Sequence, residues 1–370
     1  METLYPNLIL DALRTVRYPG NGKNIVELGM IEDDMRISGN KVSFSIVFDK
    51  PTDPFIKSII KAAETAILTH ISPEIDIKGN ISVKTNSEVK KAPVEKVLSS
   101  VKNIIGIASG KGGVGKSTVA SNLAVALARE GYKVGLLDAD IFGPSMPKMF
   151  GVEKEPLYIH KVDGRDLIIP VEKYGVKLLS IGFVVDPDSA AVWRGSMASN
   201  ALKQLITDAD WGDLDYFLID MPPGTSDIHL TLVQTLAITG VVIVSTPQQV
   251  ALADARKGIN MFTGDKINVP VLGIVENMAW FTPEKHPDER YYIFGREGAS
   301  RLADELKAPL LAQIPVVGNI CEHGDEGQPI ALEDSVTGHA FMHLAHEVTE
   351  AVDRRNNQLP PTVKVNVTRK

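Results

Sequence analysis

Residues 104–117 read IIGIASGKGGVGKS, and the fold turns on this stretch. Ile104 to Ala108 are apolar on both faces, as a strand buried inside a parallel sheet must be. Gly110-Lys111-Gly112-Gly113-Val114-Gly115-Lys116-Ser117 then fits the pattern G-x-x-x-x-G-K-S/T. Leu123, Ala124, Ala126 and Leu127 give the next segment a helical apolar stripe. Strand, glycine loop and helix in that order make an anion cradle. The glycines let backbone N–H groups curl around a phosphate, and the helix N-terminus adds the positive end of its dipole. Lys116 is then placed to reach β- and γ-phosphates, and the Ser117 hydroxyl to ligate Mg2+. The alternative, a plain glycine turn after a strand, does not account for the matching flanks.

The same style continues on both sides of the loop. Apolar runs at 134–140 (VGLLDAD), 216–223 (YFLIDMPP), 241–247 (VVIVSTP) and 269–278 (VPVLGIVENM) alternate with helical segments. The expected fold class is α/β: a P-loop NTPase with a mostly parallel sheet covered by helices on both faces. Leu218-Ile219-Asp220 ends a strand with an acid, as a carboxylate holding the Mg2+ water shell must. Pro222-Pro223-Gly224-Thr225 makes a rigid turn able to respond to a γ-phosphate. Asp138-Ala139-Asp140 puts two more carboxylates at the carboxyl edge of the sheet, where open α/β sheets bind ligands. Asp140 is the candidate for orienting an attacking water; capping the next helix is its other reading. A last helix over about Val336–Val352 carries Phe341, Leu344, Ala345 and Val348 inward.

Residues 1–84 read as a separate small α+β domain. Leu8, Ile9, Ala12, Leu13 and Val16 recur at helical spacing, and Val42, Phe44, Ile46 and Phe48 alternate as on a half-buried strand. After Pro54, Ile56, Ile59, Ile60, Ala63 and Ile67 form a second helical stripe, and Ile81 and Val83 mark a closing strand. The polar stretch 85–102 is the linker, 103–354 the nucleotide-binding domain, and 355–370 a tail with valines at 363, 365 and 367, extended or disordered.

A length of 370 residues gives about two domains. With 44% hydrophobic and 23% charged residues, the chain can bury enough apolar surface to fold. Its 39 basic and 46 acidic residues leave a net charge of −7, so no field holds nucleic acid non-specifically. No apolar run reaches the roughly 18 residues of a membrane span, and Glu2 stands where a signal peptide wants positive charge. With the single Cys321 excluding an internal disulfide, these features predict a cytoplasmic protein with neither nucleic-acid nor membrane partners.

The second lysine of the loop, Lys111 in KGGVGKST, resembles the deviant Walker A motif of the MinD/ParA group and the nitrogenase iron protein. The resemblance implies an ATP-sandwich homodimer in which Lys111 crosses to the partner's phosphates. Longer stretches, among them GLLDADIFGPSMPKMFG, DWGDLDYFLIDMPPGTSDIHLTLVQ and STPQQVALADARKG, resemble the Mrp-type iron–sulfur cluster carriers. ILDALRTVRYPGNGKNIVELGMI resembles their small N-terminal domain. That family implies a slow, Mg2+-dependent ATPase with Lys111, Lys116 and Asp140 catalytic and Gly110 through Thr118 binding ATP. Its function is assisting iron–sulfur cluster assembly or transfer to apo-proteins. The resemblance further implies that Asn277 bonds the adenine and that Pro315 and Val316 line the base. Gln249 and Asp227 would move with nucleotide state, and Arg194 and Gly195 would lie near the nucleotide or dimer contact.

The sequence departs from that family in one place. Many members carry C-x-x-C after the E-N-M segment, where two pairs hold a 4Fe–4S cluster across the dimer; here residues 282–290 read TPEKHPDER. A dimer of this chain offers two thiolates, both Cys321, where such a cluster usually takes four. Cys321 is read as structural or incidental, with metal or redox chemistry as the alternative. Glu284, His286, Asp288 and Glu289 read as a solvated loop rather than a metal site. His339, His343 and His346 share one helical face and read as a polar outer stripe rather than a Zn or Ni site. Two further readings stay open: a MinD/ParA-like nucleotide-switched positioning or scaffold protein, and an accessory ATPase that partners a separate cluster-holding scaffold.

Overall fold

The computed structural model describes residues 4–85, 97–184 and 195–365, apart from the single positions 20, 21, 33, 49, 51, 163, 266, 284, 285 and 287. Residues 86–96 of the expected linker, Arg194, Glu284 and Val367 lie outside the described residues. The chain divides into two compact units, Met1–Glu95 and Lys96–Lys370.

In the first unit, α1 (Pro6–Leu13) and α2 (Ile56–His70) accompany a three-stranded sheet of β1 (Arg36–Ser38), β2 (Lys41–Phe48) and β3 (Ile81–Thr85). The central strand β2 is antiparallel to β1 and parallel to β3. Val42, Phe44, Ile46 and Phe48 are buried and share a core with Ile9 and Leu13 of α1 and Ile59, Ala63 and Ile67 of α2. Each large side chain fully buried there contributes roughly 1.5–3 kcal/mol.

The second unit is built on an eight-stranded sheet. Its strands are β4 (Val101–Ala108), β5 (Val134–Asp138), β8 (Val171–Lys173), β9 (Val176–Ser180), β10 (Leu214–Asp220), β11 (Gly240–Ser245), β12 (Val271–Phe281) and β13 (Leu310–Val316). They lie in the order β13-β12-β11-β4-β10-β5-β9-β8. Every pairing is parallel except the edge pair β8–β9. Successive residues serve opposite faces. Ile105, Leu136, Leu218 and Val242 join the core under α3 (Lys116–Arg129) and α10 (Val336–Gln358). Ile104, Leu137, Ile219 and Ile243 join the core under α5 (Gly195–Thr207), α6 (Asp227–Thr235), α7 (Gln249–Thr263) and α8 (Gly298–Leu306). The remaining elements are the short helix α4 (Met146–Met149), the hairpin of β6 (Tyr158–Val162) and β7 (Arg165–Ile169), and α9 (Gly318–Asp325).

The sequence reading missed the hairpin and the strands β8, β9 and β13. In β13 the apolar run is broken by Gln313, whose amide is satisfied by the buried Glu276 at 2.7 Å. The last helix also runs through Gln358, past the expected domain end at 354. Arg355, 8% exposed, donates to the Pro360 carbonyl at 2.7 Å and ties the chain leaving the helix back to its last turn. The following segment is extended and tied down, with Val365 N donating to the Val233 carbonyl at 3.0 Å. Among the described residues no helix is long and apolar enough to cross a membrane.

A candidate nucleotide-binding site at the carboxyl edge of the sheet

Parallel strands bring their carboxyl ends to one edge. Asp220 at the end of β10 stands opposite Ile107 of β4 on one side and Asp138 of β5 on the other. With strands about 4.8 Å apart, the loop leaving β4 and the acids ending β5 and β10 become neighbours. Gly113 and Gly115 take positive φ, +79° and +80°, which L side chains rarely adopt, and Gly115 caps α3. Gly110 has a different reason: a Cβ there would lie 2.1 Å from the backbone of Asp254 in α7.

Two adjoining cavities open on this edge. A cavity of about 250 Å³ is lined by Lys111 to Thr118 together with Asp140, Ser145 and Pro223. A larger one of about 540 Å³ shares Gly115, Thr118, Ser145 and Met149 with it and continues between Asn277 and Pro315. A small chamber walled by the glycine loop and Lys116, adjoining a larger and more apolar one, suits a phosphate chain and its nucleoside.

Lys116 is 6% exposed, and its Nζ lies 2.5 Å from Oδ1 of the fully buried Asp220. Ser117 Oγ donates to Asp220 Oδ2 at 2.7 Å, so lysine, hydroxyl and acid converge on one point. Burial raises the pKa of Asp220, with Lys116 and Ser117 opposing it. The oxygens of Ser117 and Asp220 fit Mg2+, a hard cation that prefers oxygen and keeps several waters.

The structure separates the two acids after β5. Asp138 is fully buried and accepts from Ser180 Oγ at 2.9 Å and from the amides of Asp140, Ser145 and Met146, each at 3.2 Å. It anchors the loop that carries Asp140, and burial, then the charge of Asp220, pushes its pKa well above the usual carboxylate range. Asp140 is half-buried in the wall of the phosphate cavity. Burial raises its pKa, while Lys116 pulls it down.

Asn277, 6% exposed, donates through Nδ2 to the Val114 carbonyl at 2.8 Å and borders the larger cavity. That bond holds the glycine loop and fixes which way the amide faces. Pro315 and Val316 line the same cavity. Sequence reasoning overlooked the preceding Glu276, which is 1% exposed and accepts from Ala299 N at 2.6 Å and from Gln313. An acid inside the apolar run GIVENM was the signal, because a buried charge requires partners. Gln249 opens α7 and Asp227 opens α6, both exposed, and Gly195 opens α5.

Cys321 is exposed rather than packed, borders the larger cavity, and lies 3.8 Å from Asp325 Oδ2. His286 pairs with Glu289 at 3.5 Å, His339 with Asp334 at 2.7 Å and His346 with Glu350 at 3.2 Å, all on the surface. Among the described residues no group of three or more His, Cys, Asp or Glu side chains is placed to hold a metal ion.

The buried strand, glycine loop, buried lysine and strand-terminal acid define a nucleotide-binding α/β protein of the P-loop class. Residues 100–349 match the ParA family described as NUBPL iron-transfer P-loop NTPase, and residues 7–75 match the FeS_assembly_P family, described as iron–sulfur cluster assembly protein. The chain belongs to this iron-transfer P-loop NTPase family. It is 42% identical over 354 residues to the iron–sulfur cluster carrier protein of Synechocystis, covering 94% of this chain and 98% of that one. It is 47% identical over 275 residues to an Arabidopsis thaliana mitochondrial iron–sulfur protein required for NADH dehydrogenase, covering 73% and 86%. Among solved structures, the Archaeoglobus fulgidus nucleotide-binding protein in complex with ADP aligns with a TM-score of 0.56 at 39% identity, covering 65% of this chain and 92% of that one.

Proposed function

We propose that the chain is a cytoplasmic, Mg2+-dependent ATPase that acts as a homodimer and assists iron–sulfur cluster assembly or transfer to apo-proteins. The observation that carries this reading is the convergence of Lys116, Ser117 and Asp220 beneath a glycine loop, beside a nucleoside-sized cavity. Lys116 and the loop amides neutralise the phosphates, and Ser117 and Asp220 hold Mg2+, which spreads the charge developing on the β–γ bridge. Asp140 orients the water. Lys111, half-buried in the wall of the phosphate cavity, is the group that a second copy would receive.

Adenine is favoured over guanine by the fixed amide of Asn277. Its Nδ2 donates one hydrogen to Val114, which orients the amide so that its oxygen can accept from the 6-amino group of adenine, where guanine presents a carbonyl. Dimerisation is supported by exposed apolar side chains near this edge: Phe142 at 67%, Val184 at 63% and Val250 at 69%.

The iron–sulfur cluster enters as cargo. One cysteine per chain does not make the four-thiolate set of a 4Fe–4S cluster, so the remaining ligands come from a donor or acceptor protein. The test joins two measurements: ATP-dependent transfer from a loaded scaffold to an apo-acceptor, and anaerobic reconstitution of the chain alone with iron and sulfide. Faster transfer with ATP, absent in Lys116→Ala, is expected, with no stable cluster on the isolated dimer. Transfer indifferent to ATP would refute the assembly role, and a cluster lost in Cys321→Ser would refute the shared-ligand part.

A further inference from the structure

His229 is fully buried, lies in the first turn of α6, and is not among the residues assigned to the nucleotide site. Its Nδ1 accepts from the backbone N–H of Ser226 at 3.1 Å, while the Ser226 hydroxyl accepts from the His229 backbone. This is a reciprocal capping box with histidine in the position where glutamate or glutamine is usual. Because Nδ1 is the acceptor, the proton of the neutral ring sits on Nε2. That Nε2–H is buried and has no hydrogen-bond partner among the described residues. The imidazole is therefore bonded to the far end of the turn that follows Asp220, through Ser226.

That turn belongs to the phosphate site. Gly224 N donates to the Ser109 carbonyl at 2.9 Å, at the root of the glycine loop, and Pro223 lines the phosphate cavity. On its other side, the His229 ring packs edge-on to Phe262 of α7, centroids 6.0 Å apart. The same helix touches Gly110 through Asp254. The ring thus joins three bodies that meet the phosphate site: the turn, α6 and α7.

We propose that His229 is a positioning residue for the Pro222–Ser226 turn, its ring coupling the turn to α6 so that both move as one body when the γ-phosphate site fills or empties. The proposal rests on the ATPase reading above. Losing the box frees the turn from the helix. ATP still binds, because the glycine loop and Lys116 are untouched, but the turn is aligned for hydrolysis in a smaller fraction of complexes.

The test compares His229→Leu and His229→Gln with the wild type in the full chain, reading steady-state ATP hydrolysis with Mg2+ and the binding of a fluorescent ATP analogue. Leucine fills the space but cannot accept a hydrogen bond; glutamine can, through Oε1. Leucine is expected to lower kcat about tenfold with KM and analogue affinity within about twofold, and glutamine to keep kcat within about threefold. Equal kcat in all three proteins, or equal loss in both variants, overturns the proposal. Nitrogen-15 spectra of the wild-type ring cover the case in which the leucine variant fails to fold. An Nε2–H tautomer whose resonances shift on adding ATP is expected; an Nδ1–H tautomer, or no shift, overturns the proposal. If the wild type binds ATP without hydrolysing it, the ATPase reading falls, and these spectra alone decide the role of His229.

Discussion

Lys116 Nζ lies 2.5 Å from Asp220 Oδ1, an ion pair between residues 104 positions apart and almost wholly removed from water. It joins the glycine loop to the acid that ends the neighbouring strand, so the two halves of the phosphate site are held together by their own charges. Breaking such a pair from one side typically costs about 3–5 kcal/mol, because the remaining charge is left buried. Asp220 limits that cost here, since burial raises its pKa and so eases proton uptake once the lysine is gone.

Lys116→Ala is therefore expected to lose stability in urea by about 2 kcal/mol at neutral pH and less as pH falls, because the raised pKa of Asp220 lets it shed an uncompensated charge more readily. ATP affinity should fall at least a hundredfold by equilibrium binding. A variant that binds ATP normally would show that the lysine does not face the phosphates.

Glycines in one loop are predicted to differ sharply. At Gly110 a methyl group would sit 2.1 Å from the backbone of Asp254, and neither backbone is free to give way. At Gly112 the closest atom within reach is Pro223 Cγ at 4.0 Å, an ordinary contact, and its φ is not in the left-handed region. Gly110→Ala should cost about 1–3 kcal/mol in stability, whereas Gly112→Ala should fold normally and alter only nucleotide affinity. Melting curves of the two proteins decide the matter, and equal midpoints would refute the packing role of Gly110.

Asn277→Ala removes both the tie to Val114 and the acceptor proposed for the base. Losing a hydrogen bond to a neutral group is worth about 1 kcal/mol, so ATP should bind roughly fivefold to tenfold more weakly while GTP changes little. The ratio of the two affinities is the measurement. An unchanged ratio would place base selection elsewhere in the larger cavity.

Much of this site was legible in the sequence because its chemistry is local. The glycine loop, Asp220 and Asp140 each stand at the end of an apolar run, and parallel strands bring such ends together. The strand β13 was not legible, since Gln313 interrupts its apolar run and its partner Glu276 lies 37 positions away. The different fates of Asp138 and Asp140 were equally hidden. Only the fold shows that Ser180, on a strand the sequence reading missed, holds Asp138 in place while Asp140 reaches the cavity. Cys321, read from the sequence as structural or incidental, lies on α9 in the wall of the larger cavity, a placement no local pattern signals.

The burial of His229 also predicts a pH dependence with a definite sign. Burial first, then the charge of Lys116, lowers its pKa to about 4 against an ordinary 6.5, and the Ser226 N–H donated to Nδ1 also favours the neutral ring. The folded protein thus keeps the ring neutral between those values, while the unfolded chain takes up a proton, so this residue's contribution to stability falls as pH drops from about 6.5 towards 4. Asp138 works in the opposite direction, because its raised pKa relieves a buried charge as pH falls. The wild-type curve alone mixes the two effects, but His229→Gln removes one and leaves the other. All three tryptophans, Trp193, Trp211 and Trp280, fall in the second unit, so their fluorescence in urea reports that unit. Between pH 7 and pH 5 the wild type should lose about 2 kcal/mol relative to His229→Gln. Parallel curves would mean that the ring is protonated in the fold or reaches water, and neither agrees with a buried, neutral imidazole accepting from Ser226.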